Sequence, residues 1–240
     1  MAHKTDLIAA LRFANQETQA FAAGLNDVDR STSGTADHWA ARDVLAHIGT
    51  GDGEIAATII AVRKGEALPS GITNEECYLR YKDQPWSEIE LLVRSANTLV
   101  MEQVQALSEA ELNAPVELLN GRSLWRVIAG SSFLHKLIHL AQALIERGER
   151  ERALQLNEQA IQLGLQVDDK PDWQGLFLYN TGCYLALLGE KTKALESLEK
   201  GMRLNPQLIE YSKQDPDLVS LHGNTDFLSL LDRVAPQVQD

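Results

Sequence analysis

Cysteine is nearly absent. Cys77 and Cys183 stand far apart in 240 residues, so the chain offers neither a disulfide framework nor a thiolate metal pair. Aromatic residues make up only 6%. The apolar complement is mostly Leu, Ala, Ile and Val, a balance that suits helices better than strands. Positive charge is in deficit, with 22 Lys and Arg against 34 Asp and Glu. Residues 1–147 hold 13 against 19, and residues 148–240 hold 9 against 15. With both halves acidic, neither presents the basic face that nucleic-acid phosphates or anionic lipids require. No apolar run approaches the length of a membrane span, and the opening MAHKTDLIAALRF lacks the apolar core of a secretory leader. These absences set the expectation of a cytoplasmic protein without a nucleic-acid or membrane partner.

What is present is helical periodicity. Leu7, Leu11, Ala14, Thr18 and Phe21 mark a first helix over about 6–25. A polar loop follows, then a second helix after Trp39 with Val44, Leu45, Ile48, Ile55, Ile59 and Val62 as its stripe. Gly49, Gly51 and Gly53 lie inside it, and such a cluster implies close packing or a bend. A long connection over 65–86 contains a short helical stretch at 74–82. Ser87 and Glu90 suggest a capping box for a third helix, about 87–107, with Ile89, Leu92, Val93, Ala96, Leu99, Val100 and Val104 facing inward. After a connection ending in Asn120-Gly121, a fourth helix spans about 123–147 and stops at Gly148. The expected class is all-α: a four-helix bundle at 1–147 and a helical extension at 148–240.

His135 and His139 stand four apart on the fourth helix, which puts both imidazoles on one face within reach of one metal ion. Residue 136 is Lys, so this is not the H-E-x-x-H of zinc proteases. His47 continues the apolar stripe of the second helix. Alone it reads as a core histidine. Three inward imidazoles need partners, and one divalent transition metal (Zn, Ni, Fe or Cu) satisfies all three. Three protein ligands leave positions open, as catalytic sites do. Asp43 and Glu54 share the face of His47 and are either orienting groups for a ligand or solvated surface carboxylates. Cys77, in the second connection, is a weak functional candidate.

The run from Trp39 to Ile48, W-A-A-R-D-V-L-A-H-I, resembles the signature W-[ST]-x-[RK]-D-[VL]-[LI]-A-H-[LI] of the DinB superfamily. Tyr81-Lys-Asp-Gln-Pro-Trp-Ser-Glu88 and Leu107–Leu112 look like the middle of its ClbS/DfsB branch and maleylpyruvate-isomerase-like relatives. The resemblance covers about residues 5–147. It implies a four-helix bundle holding a divalent metal at His47, His135 and His139, a homodimer, and activity as a thiol-dependent transferase or isomerase or as a small-molecule hydrolase. Ala40 departs from the family's Ser or Thr helix cap, a loss worth about 1 kcal/mol. No nucleophile stands near the histidines, so the resemblance names no catalytic residue and no substrate.

Residues 178–206 look like a tetratricopeptide repeat, with Gly182, Leu185, Gly189, Ala194, Leu198 and Pro206 at the repeat's spacings. Gly148-Glu-Arg-Glu-Arg-Ala153 repeats in Gly189-Glu-Lys-Thr-Lys-Ala194, offset by 41 residues: the usual period with a seven-residue insertion at 166–172. On this alignment helix 123–147 is shared between the modules. Such repeats bind protein partners on a concave face, or here only cover the bundle or mediate dimerisation. Two function classes follow: a metal-dependent enzyme acting on a small molecule, and a non-enzymatic adaptor.

Overall fold

The computed structural model describes residues 3–235. Among these residues the fold is all-α, with no strand and one isolated bridge between Pro115 and Ser123. The chain divides into two compact units, Met1–Ala143 and Leu144–Asp240. The division falls inside a helix rather than at Gly148.

In the first unit, α1 (Lys4–Ala23), α2 (Asp27–Ser31), α3 (Ala41–Lys64), α4 (Asn74–Tyr81), α5 (Trp86–Ala106) and α6 (Glu109–Asn113) precede a final helical segment. α1 buries the expected Leu7, Leu11, Ala14, Thr18 and Phe21. α3 runs unbroken through its glycines. Only Gly49 is a packing position, because a Cβ there would lie 2.8 Å from Leu92 Cγ and 3.2 Å from Val93 Cα on α5. A Cβ at Gly51 or Gly53 would meet nothing within 4 Å. α3 ends at Gly65, whose φ of 68° is the left-handed conformation that glycine adopts at low cost.

One helix start differs from expectation. α5 begins at Trp86, not Ser87, because Pro85 is fixed in an extended conformation and acts as the N-cap. Ser87 is therefore inside the helix and forms no capping box. The α5 stripe also shifts: Leu99 is exposed, and Asn97 is buried instead. Arg42 explains how the loops before and after these helices are held. Its buried guanidinium donates from Nη1 to Arg30 O at 3.1 Å, and from Nη2 to Tyr81 O and Gln84 O.

The expected fourth helix is three pieces: α7 (Leu124–Ile128), a π-helix (Ala129–His135) and α8 (Lys136–Glu146). A π turn inserts an extra residue, so the faces before and after it are out of α-helical phase. The apolar pattern of 123–147 carries no mark of that insertion.

The second unit contains α9 (Arg150–Val167), α10 (Pro171–Leu187), α11 (Lys191–Leu204), α12 (Gln207–Ser212) and α13 (Thr225–Val234). α10 and α11 approach backbone to backbone. A Cβ on Gly201 would sit 2.7 Å from Tyr179 N and 2.9 Å from Gly175 O; on Gly182 it would sit 2.6 Å from Leu198 Cγ. The repeated six-residue motif has a repeated shape. Gly148 and Gly189 have φ of 78° and 77°. Glu149 N donates to Leu144 O and Glu190 N to Leu185 O, each at 2.8 Å. Asn224 caps α13, its Oδ1 accepting from Asp226 N and Phe227 N. The core of this unit is Leu198, Met202, Leu218, Leu221, Phe227 and Leu230 with their neighbours.

Candidate metal centre

The first unit brings the three histidines together. α3 supplies His47, the last π residue is His135, and α8 supplies His139. Their rings stand 4.4 Å (135–139), 4.7 Å (47–139) and 5.1 Å (47–135) apart between centroids, each pair edge to face. His135 Nε2 and His139 Nε2 are 3.0 Å apart. One nitrogen from each of the three lies within 4.8 Å of the others. Nitrogens bound tetrahedrally to one ion at about 2.0–2.1 Å stand about 3.3 Å from each other. The trio is thus near the spacing of a ligand set.

The chemistry of the pocket fits such an ion. His47 Nε2 is buried without a hydrogen-bond partner in the protein, a state that costs free energy unless a ligand supplies the partner. Burial, and then the charge of His135, push the His47 pKa down to about 4. Burial, then His135 and His47, push that of His139 down to about 3, against a hydrogen bond with Gln142. Burial also lowers the pKa of His135, against the opposing pull of the Asp52 carboxylate, although one side of His135 is open to solvent. All three directions favour the neutral imidazole that binds metal.

Trp39 closes one side. Its ring lies 4.6 Å from His47 and 5.8 Å from His139 between centroids, and its Nε1 is buried without a partner in the protein. On another side is a small cleft of about 130 Å³, lined by His47, Gly51, Glu54, Ile55, Ser131 and His135 among others. Gly51 is one turn beyond His47, and its missing side chain leaves the cleft open. A larger groove of about 310 Å³, lined by Leu45, Trp86 and Ile89 among others, contains none of the histidines.

The two candidate orienting carboxylates separate. Asp43 is buried, and its Oδ2 accepts from Gly34 N at 2.6 Å and Ala40 N at 2.9 Å. It caps α3 and pins the loop before it, offsetting the missing cap oxygen at Ala40, and it is not placed to orient His47. Glu54 does line the cleft, with Oε1 accepting from Ile72 N at 2.9 Å. Cys77 is buried, its Sγ 3.5 Å from Thr50 Oγ1, and burial raises its pKa. That is the profile of an inert thiol.

The sequence reading missed what lies behind the histidines. Lys136 is 2% exposed. Its Nζ donates to Asp52 Oδ2, to Asn15 Oδ1 at 2.8 Å and to Asn97 Oδ1 at 2.9 Å. The chain matches no family model, no curated protein and no solved structure. Among the described residues, no helix is long and apolar enough to cross a membrane.

Proposed function

We propose that this chain is a divalent-metal-dependent protein of DinB type: a four-helix bundle holding Zn, Ni or Fe through His47, His135 and His139, followed by a tetratricopeptide-type extension. The observation that carries the reading is the convergence of three imidazoles around an orphaned, buried His47 Nε2. A metal held there supplies Lewis-acid polarisation or a bound water of lowered pKa. The chain's own part is to keep three neutral nitrogens in place, to wall one side with Trp39, and to leave the small cleft beside Glu54 and Ser131 for the reacting group. A cleft of about 130 Å³ admits a few atoms, which suits hydrolysis or group transfer on one end of a small molecule. Cys77 is not the nucleophile, so a thiol-dependent reaction draws its thiol from a co-substrate. The test is elemental analysis of tag-free protein before and after reconstitution. About one equivalent of transition metal supports the reading, and less than about a tenth of an equivalent after reconstitution rejects it.

A second reading, a homodimeric or partner-binding adaptor, draws on the repeated Gly148 and Gly189 turns, which support a repeat architecture. Recovery of the same protein partners by the full chain and by a chain lacking 148–240 would count against it.

A further inference from the structure

We propose that Lys136 is the positioning residue of the three-histidine site, fixing where the π-helical insertion ends and so which way His135 faces. The inference rests on the metal reading of the histidines. Lys136 directly follows the π-helix Ala129–His135. Its three hydrogen bonds go to one residue on each of the other three long helices of the unit: Asn15 on α1, Asp52 on α3 and Asn97 on α5. An ammonium group has three donors, and all three are used. Lys136 and Asp52 are each 2% exposed in their side chains, a depth at which lysine and aspartate are found only when paired.

A π insertion is one extra residue, and nothing in the helix itself fixes its position. If it slid past residue 136, the residues it passed would turn by about 100° around the helix axis. That movement would carry His135 away from His47 and draw Lys136 off all three acceptors, leaving Asp52 as an unpaired buried charge, which interiors do not tolerate. The hub therefore couples the phase of His135 to three helices at once. It is kept at a local cost, because Asn97 turns its oxygen to Lys136 and leaves its own Nδ2 without a partner in the protein. An apolar core would register the helices more loosely, since apolar contacts are not directional.

The test replaces the hub by apolar residues of similar size, Lys136→Met with Asp52→Leu and Asn97→Leu, in the full chain. Asn15 is partly exposed and can hydrate. Replacing a buried ionic cluster in this way leaves stability roughly unchanged or raised. Cobalt(II) titration, read by visible absorption, follows both affinity and coordination geometry. The expected result is a helical, cooperatively unfolding variant that binds cobalt(II) about 10-fold or more weakly than wild type, with altered d–d bands. Unchanged affinity and bands in that variant would overturn the hub and leave the metal reading standing. A wild type that takes no cobalt(II) would overturn both. If the triple variant does not fold, Asn15→Ala, which removes one acceptor at the edge of the hub, is read the same way: weaker binding with altered bands supports the role, and an unchanged titration overturns it.

Discussion

Buried polar atoms are distributed differently in the two units. In the first, Trp39 Nε1, His47 Nε2, Asn97 Nδ2 and Ser132 Oγ lack a hydrogen-bond partner in the protein at the histidine site, the π-helix or the lysine hub, and Arg30 Nε, Arg42 Nε and Trp86 Nε1 lack one in a separate cluster. In the second, Asp168 alone among the described residues carries such atoms, and Lys170 Nζ lies 3.6 Å from it. Its other buried polar groups are matched, as Tyr179 is by Asp215 at 2.7 Å, and its helices meet through glycine. Unsatisfied buried groups are rare in native proteins and call for an explanation. The proposed metal site would account for part of the first set, whereas the second unit rests on the close packing of α10 and α11.

The largest effect expected from this contrast is at the histidines. His47→Ala or His139→Ala weakens cobalt(II) binding by about 100-fold or more in a titration, while metal-free His47→Ala keeps a thermal midpoint near wild type because an orphaned buried nitrogen has been removed. Collapse of the fold in metal-free His47→Ala would contradict a binding role. The next effect is in the second unit. Gly201→Ala drives a methyl group against Tyr179 N and Gly175 O, and because both are backbone atoms neither can yield. A loss of about 2 kcal/mol is expected from denaturant unfolding, and a neutral result would break the close-packing account.

A pH series sharpens the first half of the contrast. His47 and His139 take up protons only near pH 4 and pH 3 in the folded chain, but near pH 6.5 once unfolded. Between these values the unfolded chain binds more protons, so these two rings leave stability intact above about pH 6.5 and erode it as pH falls toward 3. Metal-free unfolding midpoints should decline over that window, and less steeply in His47→Ala. An equal slope in the two proteins would show that His47 is not held neutral by the fold. The smallest effect is Gly53→Ala. With open space around the new methyl group, it should stabilise the unit by about 0.5–1 kcal/mol, opposite in sign to the same change at Gly201.

Much of the fold is legible in apolar spacing, because burial of one helical face leaves a period that the sequence displays. The stripe of α1, that of α3 apart from the half-buried Val62, and the Gly189 turn between α10 and α11 are read correctly on that ground. The histidine trio is legible as a candidate set because His135 and His139 stand one helical turn apart and His47 continues an apolar stripe. The rest fails for physical reasons. Pro85 starts α5 one residue early and removes the Ser87 box. Asp43 has the right spacing to orient His47 but is captured by the backbone of Gly34 and Ala40. The role of Lys136 is not legible because nothing local reveals that Asn15, Asp52 and Asn97 converge on it from distant helices. The π insertion leaves no local pattern either, since it answers to those same long-range contacts.

The central claim is that His47, His135 and His139 bind one metal ion. X-ray absorption at the metal edge of the reconstituted protein tests it most directly. The account predicts about three imidazole nitrogens at about 2.0–2.1 Å with oxygen ligands completing the shell, reduced by one imidazole in His47→Ala. A shell of oxygen atoms alone, or a spectrum unchanged by His47→Ala, would contradict it.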